Sequence, residues 1–256
     1  MKKIAAILLV GALMITMAAC ANEGPKTALA AYDIYSQAAE YMSNIESLAA
    51  NTNMTMIMSY DGEEVEIAVS GFVKEIIISE TEVEIQMEMT TATMGQEVEV
   101  KAFYKDGVYY MESSGQKFSM EMPLDQILEQ ANTGTLTFPD TAVKDQLATE
   151  KGDGQELSFT LDGAAMTDVI AKQLGSLAAI LGEQPDMTMS DIDFVAFIDG
   201  QGKLKTTWIS FNMEMNMMGE TLPISAEVSM DYLQINDVSI DFPTDLDSYQ
   251  QVDRVY

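Results

Sequence analysis

Apolar residues recur along this chain with two distinct periods. From Leu29, the positions Leu29, Tyr32, Tyr35, Ala39, Met42, Ile45 and Leu48 step by three and four, which predicts an amphipathic helix ending near Asn51. The period then becomes two. Met54, Met56, Met58 and Tyr60 alternate with polar residues, Asp61-Gly62 follows, and Val65, Ile67 and Val69 alternate again. An Asp-Gly pair between two alternating runs signals a hairpin, because both residues tolerate the positive φ that a tight primed turn requires. Alternation continues through Ile76 and Ile78, through Val83, Ile85, Met87 and Met89, and through Val98, Val100, Ala102 and Tyr104. Asp106-Gly107 then leads into 108–112, and Ser114-Gly115 into Phe118, Met120 and Met122. The pattern predicts an antiparallel meander with one buried face.

Around Pro123-Leu124-Asp125 the alternation stops, and Leu124, Ile127 and Leu128 predict a short helix. The stretch Leu136 to Gly154 has the weakest pattern, read as a short helix or a loop across the sheet edge. A strand follows at Leu157, Phe159 and Leu161, then a helix using Met166, Val169, Ile170, Leu174, Leu177, Ile180 and Leu181. A second meander runs through 192–198, an Asp199-Gly200-Gln201-Gly202 turn, 204–217, a Gly219 turn, 222–232 and finally Val238, Ile240 and Phe242. Helices and antiparallel strands in this order place the chain in the α+β class. A faint internal repeat joins Met54-x-Met56-x-Met58 and Met213-x-Met215-x-Met217, each shortly before a glycine turn.

Composition narrows the functions open to such a fold. The 256 residues carry 13 Lys plus Arg against 41 Asp plus Glu, a net charge of -28. Nucleic acid, whose affinity comes from cationic side chains replacing counterions, is excluded as a main partner. With no His and one Cys, the chain cannot build a His-based zinc site, a Ser-His or Cys-His dyad, or an internal disulfide. No Gly-x-Ser-x-Gly elbow is present, no carboxylate pair stands out, and no cofactor motif appears, so binding is expected rather than catalysis. The unusual number is 21 Met.

Residues 1–20 have a different character. Met1-Lys2-Lys3 is a short basic start, 4–19 are apolar or small, and the run ends in Met17-Ala18-Ala19-Cys20. This resembles a bacterial lipoprotein signal with its lipobox, Met17 standing where Leu is more usual. The resemblance implies cleavage before Cys20 and a thioether-linked diacylglycerol on its sulfur. It divides the chain into a signal peptide at 1–19, a lipidated tether at 20–27 and a single domain at 28–256. Acyl chains at Cys20 would hold the protein on the extracytoplasmic face of the cell membrane.

The order of elements as a whole, with the phrases Leu161-Asp162-Gly163-x-x-x-Thr167-Asp168 and Tyr104-Lys105-Asp106-Gly107-Val108-Tyr109-Tyr110-Met111, resembles the LolA-like and LppX-like envelope lipoproteins. The resemblance runs roughly from Ala28 to Phe242 and implies a strongly curved antiparallel sheet, a half-barrel, wrapped over helices around an apolar cavity. The better-known relatives take acyl chains there, and they carry rather than catalyse.

The methionines fit that expectation. Met is flexible and polarizable, and it suits apolar surfaces that must adapt to varied shapes. Met54, Met56, Met58, Met87, Met89, Met120, Met122, Met213, Met215, Met217 and Met230, with Trp208, are the expected lining of a cavity for a lipid or other hydrophobic molecule, in a monomer. Segment 136–154 is the expected gate of its mouth. Two alternatives stand beside this. The methionines fill a solid core in a scaffold protein, or Met-x-Met pairs bind Cu(I), which needs thioethers from neighbouring strands because residues two apart lie about 6.6 Å apart along one strand. Glu64, Glu66, Glu80, Glu82, Glu84, Glu88, Glu97 and Glu99 alternate with apolar residues and are expected on a solvated face.

Overall fold

The computed structural model describes residues 30–60, 63–79, 81–124, 140–167, 186–217 and 220–252. One helix, α1 (Ala31–Met42), precedes six strands: β1 (Ser47–Tyr60), β2 (Glu63–Ser79), β3 (Glu82–Thr93), β4 (Gln96–Lys105), β5 (Val108–Ser113) and β6 (Gln116–Glu121). After the turn Asp140–Ala142 come β7 (Val143–Lys151), β8 (Gly154–Leu161), β9 (Asp186–Met189), β10 (Ile192–Ile198), β11 (Leu204–Met217), β12 (Glu220–Ile235) and β13 (Gln250–Gln251).

The described strands form one large, curved, open sheet in the order β13-β6-β5-β4-β3-β2-β1-β12-β11-β10-β8-β7, with β9 paired to β11. The pairs are antiparallel except β13 on β6. The two meanders meet where β1 pairs with β12, from Leu48 opposite Ile235 to Met58 opposite Ile224. Primed turns close two hairpins as expected: Asp106 and Gly107 have φ of 52° and 79°, and Ser114 and Gly115 have 51° and 75°. Asp199 closes the β10–β11 turn by accepting the backbone N–H groups of Gln201 and Lys203, each at 2.9 Å.

Strand pairing divides the sheet into two faces, because directly opposed residues point the same way. The inner face carries α1. Buried Tyr35 of α1 meets Phe159 of β8 and Phe194 of β10 at centroid distances of 5.7 and 4.9 Å, and those two rings stack on each other at 4.5 Å. A core cluster extends from this contact through Ala38, Met42, Leu48, Ala50 and Val73 to Ile209, Ile224, Met230 and Tyr232. A smaller cluster of Val83, Tyr104 and Met122 lies over the other half of the sheet.

Four expectations are corrected. The helix ends at Met42, not near Asn51. Ser43 Oγ and Asn44 Nδ2 both donate to the Glu40 carbonyl, closing the last turn, and Leu48 enters β1. Ile45 and Leu48 suit either period, and pairing with two strands decided. Within 136–154, residues 143–151 form the edge strand β7, hydrogen-bonded to β8 rather than crossing the sheet edge as a loop. A continuous apolar run, Ile76-Ile77-Ile78, hid its face. Val73, Glu75 and Ile77 continue the inward set of Val65 to Val69, leaving Ile78 51% exposed. Finally, Val238, Ile240 and Phe242 do not form a strand.

They belong to a strap, 236–252, that crosses the outer face. Its Ser239 carbonyl accepts from Lys74 Nζ at 2.9 Å, Phe242 packs on Phe103 and Tyr249 on Tyr110, and Asp245 accepts from Lys117 Nζ at 2.7 Å. The Lys117 ammonium beside Asp245 holds that carboxyl below its usual range. The strap ends as β13.

The phrase Leu161-Asp162-Gly163-x-x-x-Thr167 is a helix start. Asp162 Oδ1 accepts the Ala165 N–H at 3.0 Å, Gly163 N–H donates to Asp191 Oδ1 at 3.1 Å, and Lys144 Nζ bridges both aspartates at 3.1 and 2.9 Å. Gly163 is required because a Cβ there would stand 2.0 Å from the Ser190 carbonyl oxygen. Gly163→Ala is therefore expected to cost about 3 kcal/mol, the upper range for forced overpacking, read as a lowered urea midpoint. An unchanged midpoint would show that the β9–β10 junction yields freely.

The signal peptide, Cys20, the tether, the glycine turns at 61–62 and 218–219, and the two expected helices beyond Leu124 and beyond Thr167 lie outside the described residues. Among the described residues, no helix is long and apolar enough to cross a membrane.

Candidate functional site: the methionine face

Register assigns the strand methionines whose side chains are described to the inner face. On β1, Met54, Met56 and Met58 stand opposite Val69, Ile67 and Val65 of β2 and opposite Val228, Ala226 and Ile224 of β12. Met87 and Met89 on β3 stand opposite Val73 and Gly71. Met120 on β6 faces Tyr109, and Met230 on β12 stands between Thr52 and Thr207. On β11, Met213 opposes Ile224, Met215 opposes Leu222, and Met217 pairs in register with Glu220. Met122 follows β6 and is buried beside Tyr104, whose hydroxyl donates to the Met122 carbonyl at 3.0 Å.

Trp208 is placed apart from these residues. It opposes Val195 and Ser229, which puts it half-buried on the outer face. An alternating strand offers two faces, and the composition around Trp208 (Thr206, Ser210 and Asn212 on its own side) marks the polar one.

Three methionines outside the expected set join the face. Met111 on β5 opposes Ala102, while Met187 and Met189 on β9 oppose Met215 and Met213. The signal for the β9 pair was present in the sequence as Met187-x-Met189, in a run too short to show a period. The methionines of β1 and β3 are half-buried, whereas Met187, Met213 and Met230 are buried in the core beside α1.

The acidic residues divide as alternation predicts. Glu64, Glu66, Glu84, Glu88, Glu97 and Glu99 stand on the outer side of their strands, and Glu84 pairs with Lys105 at 2.9 Å. Two recesses of about 530 and 480 Å³ lie on this outer side, lined largely by polar residues such as Asn51, Ser70, Glu88, Asn212, Glu214 and Ser225.

One acid breaks the pattern. Glu75 of β2 points inward, between Leu48 of β1 and Ile85 of β3, and is 5% exposed. Its Oε1 has no hydrogen-bond partner, and burial alone pushes its carboxyl up to about 8. The alternating set Val69, Gly71, Val73, Glu75, Ile77 contains this residue, but a charged side chain in a strand is ordinarily assigned to solvent. Tyr232, also inward and buried, has its phenol pushed up to about 12.

No group of three or more His, Cys, Asp or Glu among the described residues is arranged to hold a metal ion. Among the described residues, the inner side of the open sheet is an apolar face rich in methionine. The chain belongs to DUF6612, a family of unknown function, whose profile matches residues 30–250. No curated protein matches it. Among solved structures it is similar to the lipoprotein LppX of Mycobacterium tuberculosis, with TM-score 0.46 and 12% identity over 82% of this chain and 98% of that one. It is also similar to LprF from Mycobacterium bovis, with TM-score 0.42 and 10% identity over 83% and 96% of the two chains.

Proposed function

We propose that this protein is an exported lipoprotein, acylated at Cys20, that binds or carries a lipid or another hydrophobic molecule on its methionine face. The observation that carries the reading is the segregation of methionine. The strand methionines whose side chains are described all lie inward, where Val, Ile and Phe would give a more rigid and more strand-favouring core. Affinity would come from apolar area removed from water, at roughly 25 cal/mol per Å², with few polar contacts. Among the described residues, the outer face, crowded with carboxylates and crossed by the strap, offers no comparable surface.

The test is native mass spectrometry of the chain carrying Cys20→Ser, purified without detergent, followed by solvent extraction. A stoichiometric hydrophobic adduct is expected. A clean apo mass that also takes up no added lipid would overturn the reading in favour of a filled core.

One observation favours a second reading. Met187 and Met189 supply thioethers from a strand next to Met213 and Met215, which a Cu(I) site requires. If the face binds copper, Cu(I) adds to the apo mass and is lost when Met213, Met215 and Met217 become Leu. Lipid uptake survives that change, since Leu preserves apolar volume.

A further inference from the structure

The buried carboxyl of Glu75 is unexplained by packing. An unpaired polar atom in an apolar interior is destabilising, and such atoms in native proteins call for a reason. Its place in the sheet is informative. Leu48, on one side, belongs to the core cluster under α1, while Ile85, on the other, packs against both that cluster and the smaller one around Tyr104. Glu75 thus stands at the seam between the two inner clusters, where a ligand lying along the methionine face would pass from one to the other.

Among the described residues, no charge on the neighbouring elements answers it. The inward residues nearest in register are Leu48 and Ala50 on β1 and Ile85 and Met87 on β3. Beyond them come Tyr104 on β4 and Ile235 and Tyr232 on β12. Lys74, Glu84, Glu88, Lys101 and Lys105 all alternate to the outer side, and Asp33 and Glu40 of α1 are exposed. The full chain carries 41 acidic side chains against 13 basic ones, a field that concentrates cations and repels anionic amphiphiles.

We infer that Glu75 is the polar anchor of the methionine face and that the face selects amphiphiles bearing a single ammonium group, whose charge pairs with the Glu75 carboxylate while the alkyl chain lies on the methionines. This rests on the proposed apolar-binding function and adds the chemical class of the ligand. On binding, the Glu75 carboxylic acid loses its proton to solvent, and the resulting carboxylate accepts hydrogen bonds from the alkylammonium N–H groups. No other bond changes. Coulomb attraction between the two charges is stronger in this desolvated seam than at the surface, and it offsets the cost of taking both out of water.

The experiment is isothermal titration of the Cys20→Ser chain with dodecylamine and, separately, dodecanol, both below their aggregation concentrations. It is done in about 0.3 M salt to screen the outer carboxylates. Repeating the amine titration in buffers of different ionisation enthalpy counts the protons released. With the Glu75 carboxyl held protonated up to about 8, the amine must displace that proton at lower pH. The amine-to-alcohol affinity ratio is therefore expected to rise about tenfold from pH 6 to pH 7 and to level off above about pH 8, with about one proton released at pH 6. In Glu75→Gln the ratio becomes independent of pH and proton release disappears, while dodecanol binding persists and shows that the face is intact. Should Gln not fold, Glu75→Leu makes the same comparison. Equal ratios in wild type and variant, with dodecanol still bound, would overturn the anchor and leave the apolar face standing. If neither probe binds, both readings fall.

Discussion

Glu75→Leu is expected to make this protein more stable, and by an amount that grows with pH. The carboxyl titrates near 8 in the folded chain against an ordinary value of 4.5, so between those values the native state holds a proton that the unfolded state has released. Unfolding is then favoured as pH rises. Below about pH 4.5 both states are protonated and ionisation costs nothing. Across the window from 4.5 to 8 the wild type loses on the order of 5 kcal/mol, and above 8 the loss is constant. Leu has no such term. Urea unfolding at pH 5, 6, 7 and 8.5 should show the gap between variant and wild type widening steadily. Because the other acids titrate in both chains, the difference isolates Glu75. A gap that stays constant would mean that Glu75 reaches water or a partner in the folded state. A local cost of this size is the kind of inconsistency that functional positions carry.

Phe194→Ala is expected to cost about 3–5 kcal/mol, the usual range for removing a buried aromatic ring. Phe194 is 1% exposed, stacks on Phe159 with planes 12° apart, and meets the edge of Tyr35. These three rings are the contact that holds α1 against β8 and β10. Losing one should therefore loosen the helix as well as lower the midpoint, exposing more of the inner face. Denaturant unfolding together with binding of a fluorescent hydrophobic dye measures both effects. A loss below about 1 kcal/mol would show that α1 is held elsewhere.

Much of the sheet was legible because alternation is a local property. Hairpins such as Val100-Ala102-Tyr104, Asp106-Gly107 and Val108 to Glu112 carry their own turn chemistry and their own facing, so strand, turn and side can be read within a dozen residues. The inward setting of the Met54, Met87 and Met213 runs followed in the same way. Glu75 was obscured by its charge: a residue type that nearly always faces water was met where backbone geometry pointed it inward. β7 was obscured for a related reason. At the sheet edge its side chains from Asp145 to Lys151 are exposed on both faces, so no hydrophobic period is required of them.

The sequence by itself determined the hairpins, the segregation of methionine from glutamate, and the limits on chemistry set by having no His and one Cys. Tertiary structure alone decided that β1 pairs with β12 to merge two meanders, that α1 stops at Met42, and that the strap crosses the outer face to reach β6. It also decided that Glu75 is enclosed. Each of these depends on partners remote in the sequence, as Leu48 is from Ile235, or on contacts between strands and layers. Alternation records which way a side chain points but carries no information about what will cover it.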